Sequence, residues 1–221
     1  MDRQSHRGPL GYILFEVSML DLSLAKGLRT FSRCTLALRL CLGVFLADIF
    51  IVAAGIASLT AFHDDNYEVG NVPDYIVAVA AALFPLLLII TTIALLGWVY
   101  AGMSNLAHAG VTLRFTPTKA VGSFFLPFGF YRPLHMMQEL ASRSCGRAPP
   151  AHGDVSWLIT AWWGCCLSGI FLLSIAAATD QDDPATAAAL GGCLGLIISA
   201  LCLLRIVRDA AVGQDRWPDR G

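Results

Sequence analysis

Residues 41–60 read CLGVFLADIFIVAAGIASLT, and this stretch decides the class of the protein. Twenty residues at 1.5 Å each make a helix of about 30 Å, the thickness of a bilayer's hydrocarbon core. Three more windows share its character: 75–100, whose second half is PLLLIITTIALLGWVY, then 157–178 and 185–204. Each mixes Gly and Ala, and all but 75–100 also Ser, with Leu and Ile, as helices that pack closely in lipid do. Working outward from these windows predicts spans at about 36–60, 75–100, 156–178 and 185–207. They form an all-α membrane domain over 34–210, preceded by a partly disordered N-terminal segment, 1–33, and followed by a tail, 211–221.

The composition agrees. Of 221 residues, 56% are apolar and 14% charged, whereas a soluble domain carries roughly 45–50% and about 25%. Too few charges remain to cover a water-facing surface, which excludes a soluble globular chain, a disordered one and a charge-driven nucleic-acid binder.

A fifth apolar stretch, AVGSFFLPFGFY at 120–131, is too short to span and contains Pro127. It is read as part of a short interfacial or re-entrant helical elbow over about 117–142, between helices two and three. Its markers are Pro117, Pro127, Arg132 and Pro133, with Trp162 and Trp163 opening the next span. Trp and Tyr favour the headgroup level, so the elbow is expected to lie on the inner leaflet, with Arg132, Arg143 and Arg147 facing anionic lipid heads.

Threading follows from the cations, because short loops rich in Lys and Arg stay in the cytoplasm. All 15 fall before or at the start of the first span, between the second and third, or at the end of the fourth and beyond. The loops at about 61–74 and 179–184 carry none, and hold Asp64, Asp65, Glu68 and Asp74, then Asp180, Asp182 and Asp183. This places both termini in the cytoplasm of a bacterial inner membrane. The first apolar stretch begins some 40 residues in and is full-length, which reads as an uncleaved anchor rather than a signal peptide. Met19, just before the basic run, is a second candidate start.

The candidate chemistry is sparse. Asp48 is the one ionisable residue deep in a span, where a carboxylate costs about 2.5–3.5 kcal/mol on insertion scales. Counting equal depths brings Thr91, Thr92, Ser168 and Ser199 to its level, so Asp48, Thr91, Ser168 and Ser199 form a candidate intramembrane polar site. Its functional reading is a proton- or cation-responsive carboxyl; the plainer one is a neutral Asp bonding between helices. GGCLG sets Gly191 and Gly195 four apart, a small-residue face for packing within the chain or between copies. Pro85 removes a helix hydrogen bond, with Thr91 and Thr92 near enough to satisfy freed groups.

His135 and Glu139 share a helix face, but no third ligand accompanies them, and no zinc spacing, P-loop or nucleophile elbow occurs. The reading is therefore non-enzymatic, with no cofactor and no metal. The seven cysteines avoid both outer loops, which argues against a disulfide framework.

The central segment is distinctive. It runs W-V-Y-A-G-M-S-N-L over 98–106, L-R-F-T-P-T-K-A-V-G-S-F-F-L-P-F over 113–128 and Y-R-P-L-H-M-M-Q-E-L over 131–140, then reaches the Trp162–Trp163 pair. This resembles the bacterial membrane proteins of domain of unknown function family 4328. Members often carry Asn between the two prolines, where this chain has Phe128, Gly129 and Phe130. The resemblance spans roughly 34–210 and implies a four-helix membrane domain without implying an activity. The leading expectation is a structural or interaction protein that meets anionic lipid and either a membrane partner or copies of itself. A small transporter or channel subunit built around Asp48 is the alternative.

Overall fold

The structure, a computed structural model, describes residues 9–61, 72–125, 131–146, 156–179 and 182–215. Among them the regular structure is entirely helical: α1 (Pro9–Ala61), α2 (Val72–His108), α3 (Pro117–Gly122), α4 (Arg132–Ser144), α5 (Ser156–Ala178) and α6 (Asp182–Asp215), with a 3₁₀ turn at Ser123–Phe125. Four of these are long and apolar enough to cross a membrane, over Lys26–Ser58, Ala78–His108, Trp157–Ala178 and Pro184–Gln214. The acidic residues from Asp64 to Glu68, Asp180, Pro127, Phe128, Phe130, Arg147 and the two chain ends lie outside the described residues.

The helices overrun the spans read from apolarity. Pro9 opens α1, at a position where its missing N–H costs nothing, and the helix then continues for 53 residues. The segment 9–33, part of the stretch expected to be a partly disordered N-terminal segment, is thus helical and continuous with the first span. Leu, Ala, Met and Lys sustain a helix whether or not lipid surrounds it, so hydropathy marks the lipid boundary and not the helix end. Likewise α2 runs eight residues past Tyr100 and stops in a Schellman turn. There Gly110 takes φ +75°, its N–H reaches the Ala107 carbonyl (3.1 Å), and Val111 N–H reaches the Leu106 carbonyl (3.0 Å).

The four long helices form an open row. α1 packs along α2 and α6, α5 packs along α6, and α2 and α5 are left apart. In an apolar stretch of 18 residues, 17% are buried in α2 and in α5 against 33% in α6, so the outer pair presents mainly its lipid-facing sides. Register is set by antiparallel pairs: Phe31 meets Trp98 (5.7 Å between centroids), and Phe45 meets Phe84 (5.5 Å). Along α5 and α6 the backbones close on glycine. A Cβ at Gly192 would stand 3.0 Å from the Gly169 carbonyl oxygen, and one at Gly195 3.2 Å from that of Cys165. The small-residue face thus packs within the chain. Its closest member is Gly192 rather than Gly191, whose Cβ would make an ordinary 3.4 Å contact with Leu172.

The core is deepest where the described basic residues gather, hereafter the basic end. α5, 23 residues and about 35 Å long, barely exceeds a bilayer core, but α2 with 37 and α6 with 34 overhang it. On those overhangs sits α4, whose Met136, Met137 and Leu140 are fully buried beside Trp98, Met103, Leu106 and Val207. The elbow thus contains the expected short helix, and that helix is packed on α2 and α6. The i, i+3, i+4, i+7 spacing of Pro133, Met136, Met137 and Leu140 gives α4 an apolar stripe, and the overhanging helices bury it.

Candidate functional site

The intramembrane site divides in two. Asp48 is 6% exposed and leaves its Oδ2 without a hydrogen-bond partner among the described residues. It lines a cavity of about 390 Å³ between α1 and α2 with Ile51, Tyr75, Ile76, Val79, Ala80 and Leu83. Its level is fixed by the Phe45–Phe84 contact one turn away. Thr91 lies seven residues, about 10 Å, from Phe84 toward the basic end. There it lines a second cavity with Thr92 and Ser199.

The four residues expected in one polar layer thus do not meet. Ser199 Oγ donates to the Trp162 carbonyl (3.0 Å), joining α6 to α5. Ser168 is exposed and returns its hydroxyl to the Cys165 carbonyl of its own helix (3.2 Å). Thr92 donates to the Leu88 carbonyl (2.8 Å), and the Thr91 hydroxyl is buried without a partner. Neither threonine reaches the carbonyl freed by Pro85, which belongs to residue 81, more than two turns away.

The second cavity measures about 280 Å³ and occupies the gap between α2 and α5. Its walls include Leu88 and Leu95 on one side and Trp162, Trp163 and Ile170 on the other. Leu42 of α1 and Leu203 of α6 form the floor, and Phe124 and Phe125 stand at one end. Trp163 holds Phe124 edge-on at 6.3 Å and meets Trp162 at 5.4 Å. The aromatic pair and the turn between α3 and α4 therefore form one surface.

A polar knot that sequence reasoning missed lies at the basic end. Gln214, 2% exposed, donates through Nε2 to Ser144 Oγ (3.0 Å) and the Gly102 carbonyl (3.5 Å), while its Oε1 accepts from Asn105 Nδ2 (3.5 Å). α2, α4 and α6 are tied together at one point. Gly213 brings α6 onto α4 so closely that a Cβ there would stand 2.6 Å from the Ser144 carbonyl oxygen, and Gly27 of α1 leaves room for the Asn105 amide. Beside the knot, Trp98 Nε1 donates to Thr35 Oγ1 (3.1 Å) between α2 and α1.

Among the elbow residues, Pro117 opens α3 behind Thr116, whose hydroxyl accepts from Lys119 N–H (3.4 Å) as an N-cap. Arg132 is exposed and Pro133 buried. Arg143, expected to face lipid heads, is half-buried, and its Nε is enclosed without a partner among the described residues. Glu139 accepts from the Arg114 backbone N–H (2.6 Å), so it pins the α2–α3 loop, while His135 is exposed. All seven cysteines are free. The family model described as Domain of unknown function (DUF4328) matches residues 61–209, from the end of α1 through most of α6. No curated protein and no solved structure matches.

Proposed function

The chain belongs to the DUF4328 family, and from that premise and the geometry we propose a non-enzymatic interaction protein of a bacterial inner membrane that presents a folded cap to the cytoplasm. One observation carries this reading: the Gln214 knot and the buried methionines of α4 fuse three helices beyond the lipid boundary. Rigid packing at that place is not needed to hold helices in a bilayer. It is what a partner-facing surface needs, since ordering the surface beforehand lowers the cost of binding. The orientation rests on the cation asymmetry.

Two experiments test the reading. Cysteines placed at 64 and 182, in a background cleared of the native seven, are expected to react with an impermeant maleimide added outside intact cells. Protection of both overturns the threading. A photo-crosslinker at His135, exposed on the cap, is expected to give discrete protein adducts in cells. One at Phe171, exposed on the lipid side of α5, is expected to give none. Equal labelling at both positions removes the cap as the interaction face.

The second reading, a proton- or cation-responsive membrane subunit, is favoured by one specific feature, the unpartnered Asp48 oxygen in its cavity. Replacing Asp48 by Asn and by Leu separates the options. A pH- or ion-linked phenotype retained in both variants dismisses this reading. Tolerance of Asn alone identifies Asp48 as a hydrogen-bonding strut.

A further inference from the structure

We propose that the groove between α2 and α5 holds one acyl chain of an anionic phospholipid drawn from the leaflet at the basic end. The groove exists because the row is open: α2 is held by α1, α5 by α6, and nothing draws the outer pair together. In a bilayer such a gap is filled by whatever is present at its depth. Its polar atoms offer water little, since Ser199 donates to the Trp162 carbonyl and Thr92 to that of Leu88, and the one unpartnered hydroxyl among them, that of Thr91, is itself enclosed. The other walls are Leu, Ile, Ala, Phe and Trp with Cys166, too few polar partners to hold a water.

The dimensions choose a chain over a helix. From Leu88 to Leu95 on α2, and from Trp162 to Ile170 on α5, the walls run seven to eight residues, about 10–12 Å. That is most of one leaflet's half of a hydrocarbon core about 30 Å thick. A spanning helix from a partner, or from a second copy, needs the full thickness, and Phe124 and Phe125 obstruct it at one end. An acyl chain needs only the length available, and its glycerol then emerges beside those phenylalanines.

Charge selects the headgroup. Lys119 is exposed on α3, five residues before Phe124, and Arg114 and Arg132 are exposed on the flanking segments. The described residues of α3 and the 3₁₀ turn carry no acid, and the nearby carboxylate of Glu139 is taken up by the Arg114 backbone N–H, so three cations against one acid favour a phosphate without a neutralising amine there. This inference holds whichever side of the membrane the basic end faces, and it stands or falls separately from the proposed cap.

The test uses the full chain with Trp157 and Trp217 changed to Phe, so that Trp162 and Trp163, which line the groove, report on it while Trp98 stays buried away from it. The protein is placed in phosphatidylcholine vesicles containing phosphatidylglycerol, with bromines midway along the chains of one lipid or the other. Brominated phosphatidylglycerol is expected to reach half-maximal quenching at about fivefold lower mole fraction than brominated phosphatidylcholine, the ratio equivalent to one basic residue near an anionic lipid. Thr92→Phe, filling the groove from an exposed position, is expected to bring that ratio to about one and to reduce quenching by both lipids. Lys119→Glu, outside the packed core, is expected to lose the preference but keep the quenching. Quenching in simple proportion to mole fraction for both lipids, or a preference unchanged in Thr92→Phe, overturns the proposal. So does a self-associated form in which neither lipid quenches, which assigns the groove to a second copy. If Thr92→Phe does not fold, a Lys119→Glu variant that keeps the full preference is enough to overturn it.

Discussion

Adding a single methyl group at each of four glycines of α6 is expected to rank them Gly213, Gly192, Gly195, Gly191 from most to least damaging. At Gly213 the new Cβ would stand 2.6 Å from the Ser144 carbonyl oxygen and 2.8 Å from its carbon, both backbone atoms, so α4 has to move away from α6. At Gly192 it meets the Gly169 carbonyl oxygen at 3.0 Å and Leu173 Cγ at 2.8 Å; at Gly195 the nearest atom is the Cys165 carbonyl oxygen at 3.2 Å. At Gly191 the nearest atom is Leu172 Cδ1 at 3.4 Å, an ordinary contact. Overpacking costs about 1–3 kcal/mol, and replacing helical Gly by Ala returns about 0.5–1 kcal/mol. The net is a loss of about 1–2 kcal/mol at Gly213 and Gly192, a smaller loss at Gly195, and a neutral to slightly favourable change at Gly191. At about 2–4 °C per kcal/mol for a chain of this size, Gly213→Ala and Gly192→Ala lower the melting temperature by several degrees while Gly191→Ala leaves it level or raises it. Near-UV circular dichroism of the full chain in mild detergent reads this directly. A larger loss for Gly191→Ala than for Gly192→Ala refutes the α5–α6 register. If that loss comes with a change in oligomeric state, the face belongs to a contact between copies.

Three further outcomes follow from the hydrogen bonds. Gln214→Leu strips donors from Ser144 and Gly102 and an acceptor from Asn105, and is expected to cost about 1–3 kcal/mol in thermal unfolding; a shift within error would empty the knot of energetic meaning. In a double-mutant cycle, Asn105→Ala and Gln214→Ala are expected to couple by about 0.5 kcal/mol or more, and strict additivity contradicts the amide pairing. Thr91→Val removes an unpartnered buried hydroxyl and is expected to be neutral or stabilising. Ser199→Ala severs an interhelical bond and is expected to cost about 0.6 kcal/mol, so the reverse order would show the two hydroxyls misassigned.

The membrane spans, the short elbow and the Trp162–Trp163 junction were legible because each is written in hydropathy or in a local motif. The depth of the polar residues was not. Counting from the inner end of each apolar window assumes that the windows begin at one height. In fact α5 begins at Ser156, whereas α2 and α6 run on past their apolar windows to His108 and Asp215. That offset set Thr91 and Ser199 beside Asp48 on paper and well over a turn away in the fold. The glycine face was ambiguous for a similar reason: Gly191 and Gly192 lie on nearly the same stripe relative to Gly195, at i, i+4 and i, i+3. Only the direction of α5 decides which of them is closest. The knot was hidden because Asn105 and Gln214 stand 109 residues apart, each an unremarkable polar residue near the end of an apolar helix.

The two ends of the row answer to different solvents. Within the lipid, exposed side chains such as Leu40, Ile93, Phe171 and Leu201 lose nothing by facing hydrocarbon, so packing there gains only van der Waals contact and the few interhelical bonds. That is why α2 and α5 can stay apart. Beyond the lipid boundary the hydrophobic effect returns, and the same overhanging helices must bury Met103, Leu106 and Val207. They do so under α4, which has no span of its own. The place where α4 folds is therefore dictated by how far α2 and α6 project past α5. Shortening those projections should release α4 while leaving the four spans inserted, which locates the specific structure of this chain at its basic end.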